Sequence, residues 1–217
     1  MTAAEALPNM RERSRLETRR RLIEAGTRLF ARRGFARTRA TDISREAGMA
    51  VGTLYLHFTN KEGLLREILF EGFEEIHAVV RRIAETKYST VRESVRAHAE
   101  ALVDYAAEHP ALFQILFSTE VATTAAGAEL LGSLTAHQEE RLREGMAGGY
   151  FRADLDPAVA AHAVIGMLTQ LLRWWTQDPS QAPREVVVDT ITKLRLFGLH
   201  AEDRVGGTTP TKRRLKE

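Results

Sequence analysis

Within TDISREAGMAVGTLYLHF, residues 41–58, two four-residue apolar spacings flank a segment that holds Gly48 and Gly52. Ile43 and Ala47 lie four apart and share a helical face, as do Leu54 and Phe58. Gly48 falls where the backbone must turn through left-handed space, which glycine does without a side-chain penalty. Each short helix then has one apolar face to bury against the other. A wheel of about 100° per residue, with Val51 at zero, puts Gly52, Thr53, Leu56 and His57 on the outer arc and Tyr55 nearer the buried side. Two helices meeting across such a turn form a helix-turn-helix, whose second helix enters the DNA major groove. Double-stranded DNA is therefore the expected partner.

Charge agrees with that expectation. Residues 1–60 hold 12 Lys and Arg against 6 Asp and Glu, a net of +6, and the remaining 19 against 23 give −4. A basic front on an acidic body suits phosphate binding by one end. The 217 residues contain no cysteine, which excludes disulfides and thiolate metal sites. The start, MTAAEALPNM, lacks an apolar signal core, and no apolar run approaches the roughly 18 residues needed to span a bilayer. A cytoplasmic protein without membrane contact is expected.

The rest of the chain reads as helix, so the fold class is all-α. Residues 1–13 are expected to form a flexible arm. A first helix from about Arg15 to Arg33 carries Leu22, Ile23, Gly26, Leu29 and Phe30 and stops at Gly34, with Thr38 able to cap the next. Asn60 starts a longer helix striped by Leu65, Ile68, Leu69, Phe73, Ile76, Val80 and Ile83. Val91, Val95, Leu102 and Ala106 stripe another, ending at Pro110, which opens a short apolar helix. Further helices are expected over about 126–147, 158–175 and 184–199, with a loop at 178–183. The segment behind Pro157 is apolar nearly all round and needs cover on several sides. The helices at 157–176 and 184–199 are therefore the expected homodimer interface.

The runs RRLIEAGTRLFARRGF and TDISREAGMAVGTLYLHFTNKEGLL together resemble the tetracycline-repressor (TetR) family of bacterial transcription regulators. EHPALFQILF, GYFRADLDPAVAA and the double tryptophan extend the resemblance more loosely into the body. It implies an N-terminal three-helix DNA-binding domain over 14–62, a helical ligand-binding and dimerisation domain over 63–201, and a disordered basic tail over 202–217. It also implies a dimeric repressor released from a palindromic operator by a small molecule. Tyr55 and His57 occupy positions that contact phosphates in the family, and Lys61 opens the following helix where its ammonium can meet another. Thr53 and Thr41 occupy positions that reach bases, Gly52 lets the backbone come close, and Leu56 suits a thymine methyl or a sugar. Arg39 and Ala40 replace the family's usual hydroxyl pair, so that Arg39 offers a charged phosphate contact.

In the body, His98, Tyr105, Phe113, Phe117, Met167 and Trp174 are candidates to line a pocket for a lipophilic effector. Acyl-CoA is favoured by the body's resemblance to regulators of fatty-acid metabolism, with a drug-like or signal molecule as the other option. No cofactor is implied. A transcriptional activator and a helical interaction module use the same residues and remain alternatives. An enzyme is disfavoured, because the chain has no GxSxG elbow, glycine-rich phosphate loop or HExxH, and its seven histidines lack metal spacing.

Overall fold

A computed structural model describes residues 9–197, and every regular element within them is helical. The first helix, α1 (Met10–Arg33), begins earlier than its apolar pattern because Asn9 closes a capping box. Its side chain accepts the Glu12 N–H at 2.9 Å, and the Glu12 carboxylate accepts the Asn9 N–H at 2.8 Å. Residues 10–13, expected in the flexible arm, therefore belong to α1. Residues 1–8 of that arm, the last positions expected of the final helix (198 and 199) and the 202–217 tail lie outside the described residues.

Gly34 ends α1 with φ at 83°. Thr38 does not cap the next helix. It is buried, and its hydroxyl donates to the Gly34 carbonyl at 2.8 Å, satisfying an acceptor that the end of α1 leaves free. The cap position of α2 (Ala40–Glu46) falls to Arg39, whose N–H donates to the Asp42 carboxylate at 3.1 Å. Gly48 turns at φ 68° into α3 (Val51–His57), and the Arg21 guanidinium donates to the Ala47 carbonyl at 2.7 Å, tying α1 to the turn. Ile43, Ala47, Leu54 and Phe58 are buried, as their spacing requires.

Asn60 caps α4 (Lys61–Glu85) by accepting the Gly63 N–H at 2.8 Å. Leu64, Leu65, Ile68 and Leu69 on its first half are buried in the core, where α4 packs on α1 with Leu64 and Ile68 against Gly26. The helix continues unbroken past the expected domain boundary at 62/63, so head and body share one core. The body adds α5 (Val91–Glu108), α6 (Pro110–Leu116), α7 (Thr119–Ala122), α8 (Ala125–Ala147), α9 (Pro157–Gln177) and α10 (Arg184–Phe197). A 3-10 turn, Pro179–Gln181, lies within the expected 178–183 loop. The α8–α9 and α5–α10 pairs pack along each other, and α4 lies against both α5 and α8. Val91 is exposed, so the buried stripe of α5 runs instead through His98, Val103 and Ala106. Among the described residues no helix is long and apolar enough to cross a membrane.

One carboxylate fastens the head to the body. Glu120 on α7 accepts the Phe35 N–H at 2.9 Å and, with its other oxygen, the Ala36 N–H. From the opposite side the Lys61 ammonium donates to the Phe35 carbonyl at 2.7 Å and stands 4.1 Å from the Phe35 ring centroid. Hydrogen bonds to an ionised carboxylate are worth about 1.5–3 kcal/mol each when shielded, and these are partly shielded. Glu120→Ala is expected to lower the unfolding free energy by about 1.5–3 kcal/mol in a urea titration. A loss under about 0.5 kcal/mol, the level of an ordinary surface change, would mean the contact does not hold the junction.

Candidate nucleic-acid interface and body cavity

The recognition face is built by burying the other side of α3. With Leu54 and Phe58 in the core, the remaining positions turn outward, and Leu56 is 77% and Tyr55 56% exposed. Tyr55 thus stands clear of the core, contrary to its wheel position, because α3 is so short that only Leu54 is fully buried on it. Gly52 is exposed, with no atom within 4 Å of where a Cβ would stand, which leaves the backbone open to close approach. Thr53 and His57 are half-buried beside this surface, and Thr41 and Arg39 are exposed at the start of α2. Leu56 shares this short helix with exposed Val51 and Tyr55, and apolar groups gathered on a surface in this way mark contact sites.

Two of the expected phosphate contacts look different in three dimensions. The Lys61 ammonium is not a free surface charge. It is partly buried on Phe35, so it braces the junction and has only its remaining donors for DNA. His57 is held below the usual imidazole range by burial, and then by the charges of Arg15 and Arg19. Near neutral pH it offers a neutral N–H rather than a cation. The Arg19 guanidinium is itself bound by Glu67 and, at 2.7 Å, by Glu71.

The six body candidates scatter. His98 alone lines the body's inner apolar chamber, a space of about 100 Å³ enclosed mainly by α4, α5, α8 and α9. Phe117 lines a neighbouring cavity of about 160 Å³ that shares Leu134 with the chamber. Phe113 is fully packed between Tyr105 and Phe117, with ring centroids 6.1 and 5.6 Å away. Tyr105 belongs to the α4–α5 contact, where its hydroxyl donates to Glu75 at 2.7 Å and its ring stacks on His109 at 4.3 Å. Burial, followed by that bond, holds its phenol protonated. Ile165 and Leu168 on α9 line the chamber, whereas Met167 between them faces another way. Trp174 is 37% exposed, and its neighbour Trp175 is the buried one, its indole N–H donating to the Ala182 carbonyl at 3.0 Å.

Chamber residues absent from those six include Phe73, Ile76, His77, His137, Arg141 and Arg195. His77 and His137 meet Nε2 to Nε2 at 2.8 Å. A signal for the arginines does exist in the chain. Arg195 continues the four-residue spacing of buried Val187 and Ile191, and Arg141 continues the stripe Leu130, Leu134, His137. A cation on a buried stripe is rare enough to mark a site.

Residues 22–68 match the family model described as bacterial regulatory proteins, tetR family, and residues 88–198 match that of the tetracyclin repressor-like C-terminal domain. The transcriptional repressor KstR2 of Rhodococcus jostii is 30% identical over 82% of the chain and 87% of its own length. The uncharacterized regulator YdgC of Bacillus subtilis is 26% identical over 85% and 93%. Among solved structures, FadR of Bacillus subtilis in complex with stearoyl-CoA superposes with a TM-score of 0.70 at 21% identity, covering 83% of this chain and 99% of that one. FadR of Bacillus halodurans gives 0.71 at 23% identity over 84% and 96%.

Two expectations follow for the interface. Arg39→Ala should lower the slope of log affinity against log salt by about 0.9 for all duplexes, whereas Thr53→Ala should leave the slope and narrow the gap between preferred and random sequence. Fluorescence anisotropy over a salt series reads both, and equal slopes for Arg39→Ala and the parent would remove Arg39 from the phosphate contacts. Lowering the pH through the depressed value of His57 adds a positive charge at the interface. Affinity should therefore rise on acidification, by more in the parent than in His57→Gln, and an equal rise in both would show that His57 does not face DNA.

Proposed function

The chain belongs to the TetR family of bacterial DNA-binding transcription regulators, and on that premise we propose that it is a dimeric cytoplasmic repressor released from a palindromic operator by an acyl-CoA or a similar lipophilic molecule. One observation carries this reading. A single helix, α4, packs its first half on α1, which in turn carries α2, and lines the apolar chamber with its second. Matter entering the chamber must displace Phe73, Ile76 or Val80 and so bear on the helix that supports the reading head. The matched families and relatives are regulators, and no enzymatic family is among them. The acyl-CoA class is favoured by the stearoyl-CoA complex of the similarly folded regulator.

Dimerisation is supported by what α8 and α9 leave uncovered. Leu131 and Val159 are exposed, and a groove between these helices is lined by Gly132, Ala136, Ile165 and Gly166. Neither Gly132 nor Gly166 has an atom within 4 Å of a built Cβ, so another helix can approach closely there. The expected interface over 157–176 thus gains part of α8. On α10, Val187, Val188 and Ile191 are turned inward onto α5, leaving exposed Val186 and Phe197 for a partner. Two heads must then meet successive major grooves about 34 Å apart, and a ligand that prefers another spacing shifts the population away from the DNA-competent state.

The test starts from genomic fragments that the protein selects, which supply the operator. Saturating stearoyl-CoA is expected to weaken operator binding at least about tenfold, a typical size for allosteric coupling. Gly166→Arg should fold normally yet sediment as a monomer and lose the operator. Unchanged operator affinity with acyl-CoAs of every chain length would remove that class as effector, and a dimeric Gly166→Arg would move the interface elsewhere.

A further inference from the structure

Most arginines that cross between helices here find a carboxylate. Arg66 is paired with Glu129 at 2.6 Å, Arg184 with Asp104 at 2.6 Å, and Arg96 with Asp189 at 2.6 Å and with Glu185. Arg141 and Arg195 differ. Neither has an ion pair or hydrogen bond among the described residues, although both are largely withdrawn from bulk water. Each is held below the usual guanidinium range, chiefly by burial. Arg195, which also feels the charge of Arg141, comes down to about 10. His98 stands with them and senses both charges. Its Nδ1–H donates to the Ser94 carbonyl at 2.7 Å, which leaves Nε2 a buried acceptor with no partner among the described residues.

The position of this trio is specific. His98, Arg141 and Arg195 all line two spaces at once: the inner apolar chamber, and an open cleft of about 680 Å³ running out past Tyr88, Tyr150 and Phe151. Among the described residues the chamber lining contains no carboxylate. The cleft lining contains Glu144, which is exposed and acts on Arg141 only through its charge. Two cations withdrawn from water are costly, and among the described residues only the charge of Glu144 on Arg141 offsets that cost. Their planar donor forks are suited to an oxyanion, and the space beyond them to an apolar chain.

We propose that Arg141 and Arg195 bind the anionic oxygen group, carboxylate or phosphate, of an amphipathic ligand whose apolar chain enters the chamber past His98. A water carried on that head group supplies the hydrogen that His98 Nε2 lacks. The inference deepens the effector reading above and rests on the body being a ligand site, but it does not depend on how binding affects the operator. It separates the ligand's polar and apolar parts at a fixed boundary, so the negative charge must lie next to the chain or reach back into the cleft.

Calorimetric titration of the full-length protein without DNA tests it, using decanoate, decanoyl-CoA and 1-decanol as probes. The parent protein is expected to bind at least one of the two anions roughly tenfold or more tightly than the alcohol. Arg195→Met and Arg141→Met should erase that preference while leaving the alcohol's affinity within about twofold, and Arg195→Lys should restore part of it. Whichever anion loses affinity in the variants identifies the head group as carboxylate or phosphate. The ligand-free Arg195→Met variant should melt no lower than the parent, because it loses an uncompensated charge rather than a bond. The proposal falls if the parent binds decanol as well as both anions, if it binds none of the three, or if both methionine variants bind the anions as the parent does. Anion binding through the arginines with unchanged operator affinity would keep the head-group site and overturn ligand-driven release. Release by decanol as effective as by the anions would do the reverse.

Discussion

The buried face of α4 is shared by head and body, and the rest of the structure is built on it. Leu64, Leu65, Ile68 and Leu69 are its contribution to the head core, each worth about 1.5–3 kcal/mol by burial alone, and they hold α1, on which α2 packs. Helices of seven residues are not stable in isolation, so the geometry of the recognition surface is borrowed from α1 and α4. Farther along, the same helix loosens. Phe73, Ile76 and Val80 are only half-buried and border empty space. Tight packing at one end and a yielding wall at the other suit a lever, since well-packed cores shift between discrete arrangements rather than deform smoothly.

The junction at Phe35 is a further connection between the two halves, beside the packing of α1 on α6. Glu120 holds the loop's two N–H groups from the body side, and Lys61 holds its carbonyl from α4. α7, which carries Glu120, leads directly into α8, one wall of the chamber. A shift of α8 therefore reaches the head by a route separate from α4. Both routes end on residues that position the helix-turn-helix without themselves forming its reading face.

How much of this could be read from the chain differs between head and body. In the head, apolar residues at four-residue spacing and a glycine at the turn leave one arrangement, and Ile43, Ala47, Leu54 and Phe58 are buried accordingly. Tyr55 and Thr38 departed from their expected settings for local reasons. A helix of two turns buries too little to hide Tyr55, and free carbonyls at the end of α1 drew in the Thr38 hydroxyl. In the body, aromatic residues were a poor guide. Phe113, Tyr105 and Trp174 went to core, interhelical contact and surface, while the cavity took its character from Arg141, Arg195 and three histidines.

The sequence by itself determined the helical periodicity, the helix start at Asn60, the turn at Gly48 and hence the DNA-reading unit, because each depends on residues within a few positions of one another. Only the tertiary structure decided which face of each long helix would be covered and which polar groups would be left alone beneath the surface. Whether Arg195 has a partner depends on what α5 and α8 bring opposite it from roughly 50 to 100 residues away in the chain, and no local pattern encodes that. Pairing is a property of the assembled interior, and so the site with the most to say about the ligand was the one least visible in the linear chain.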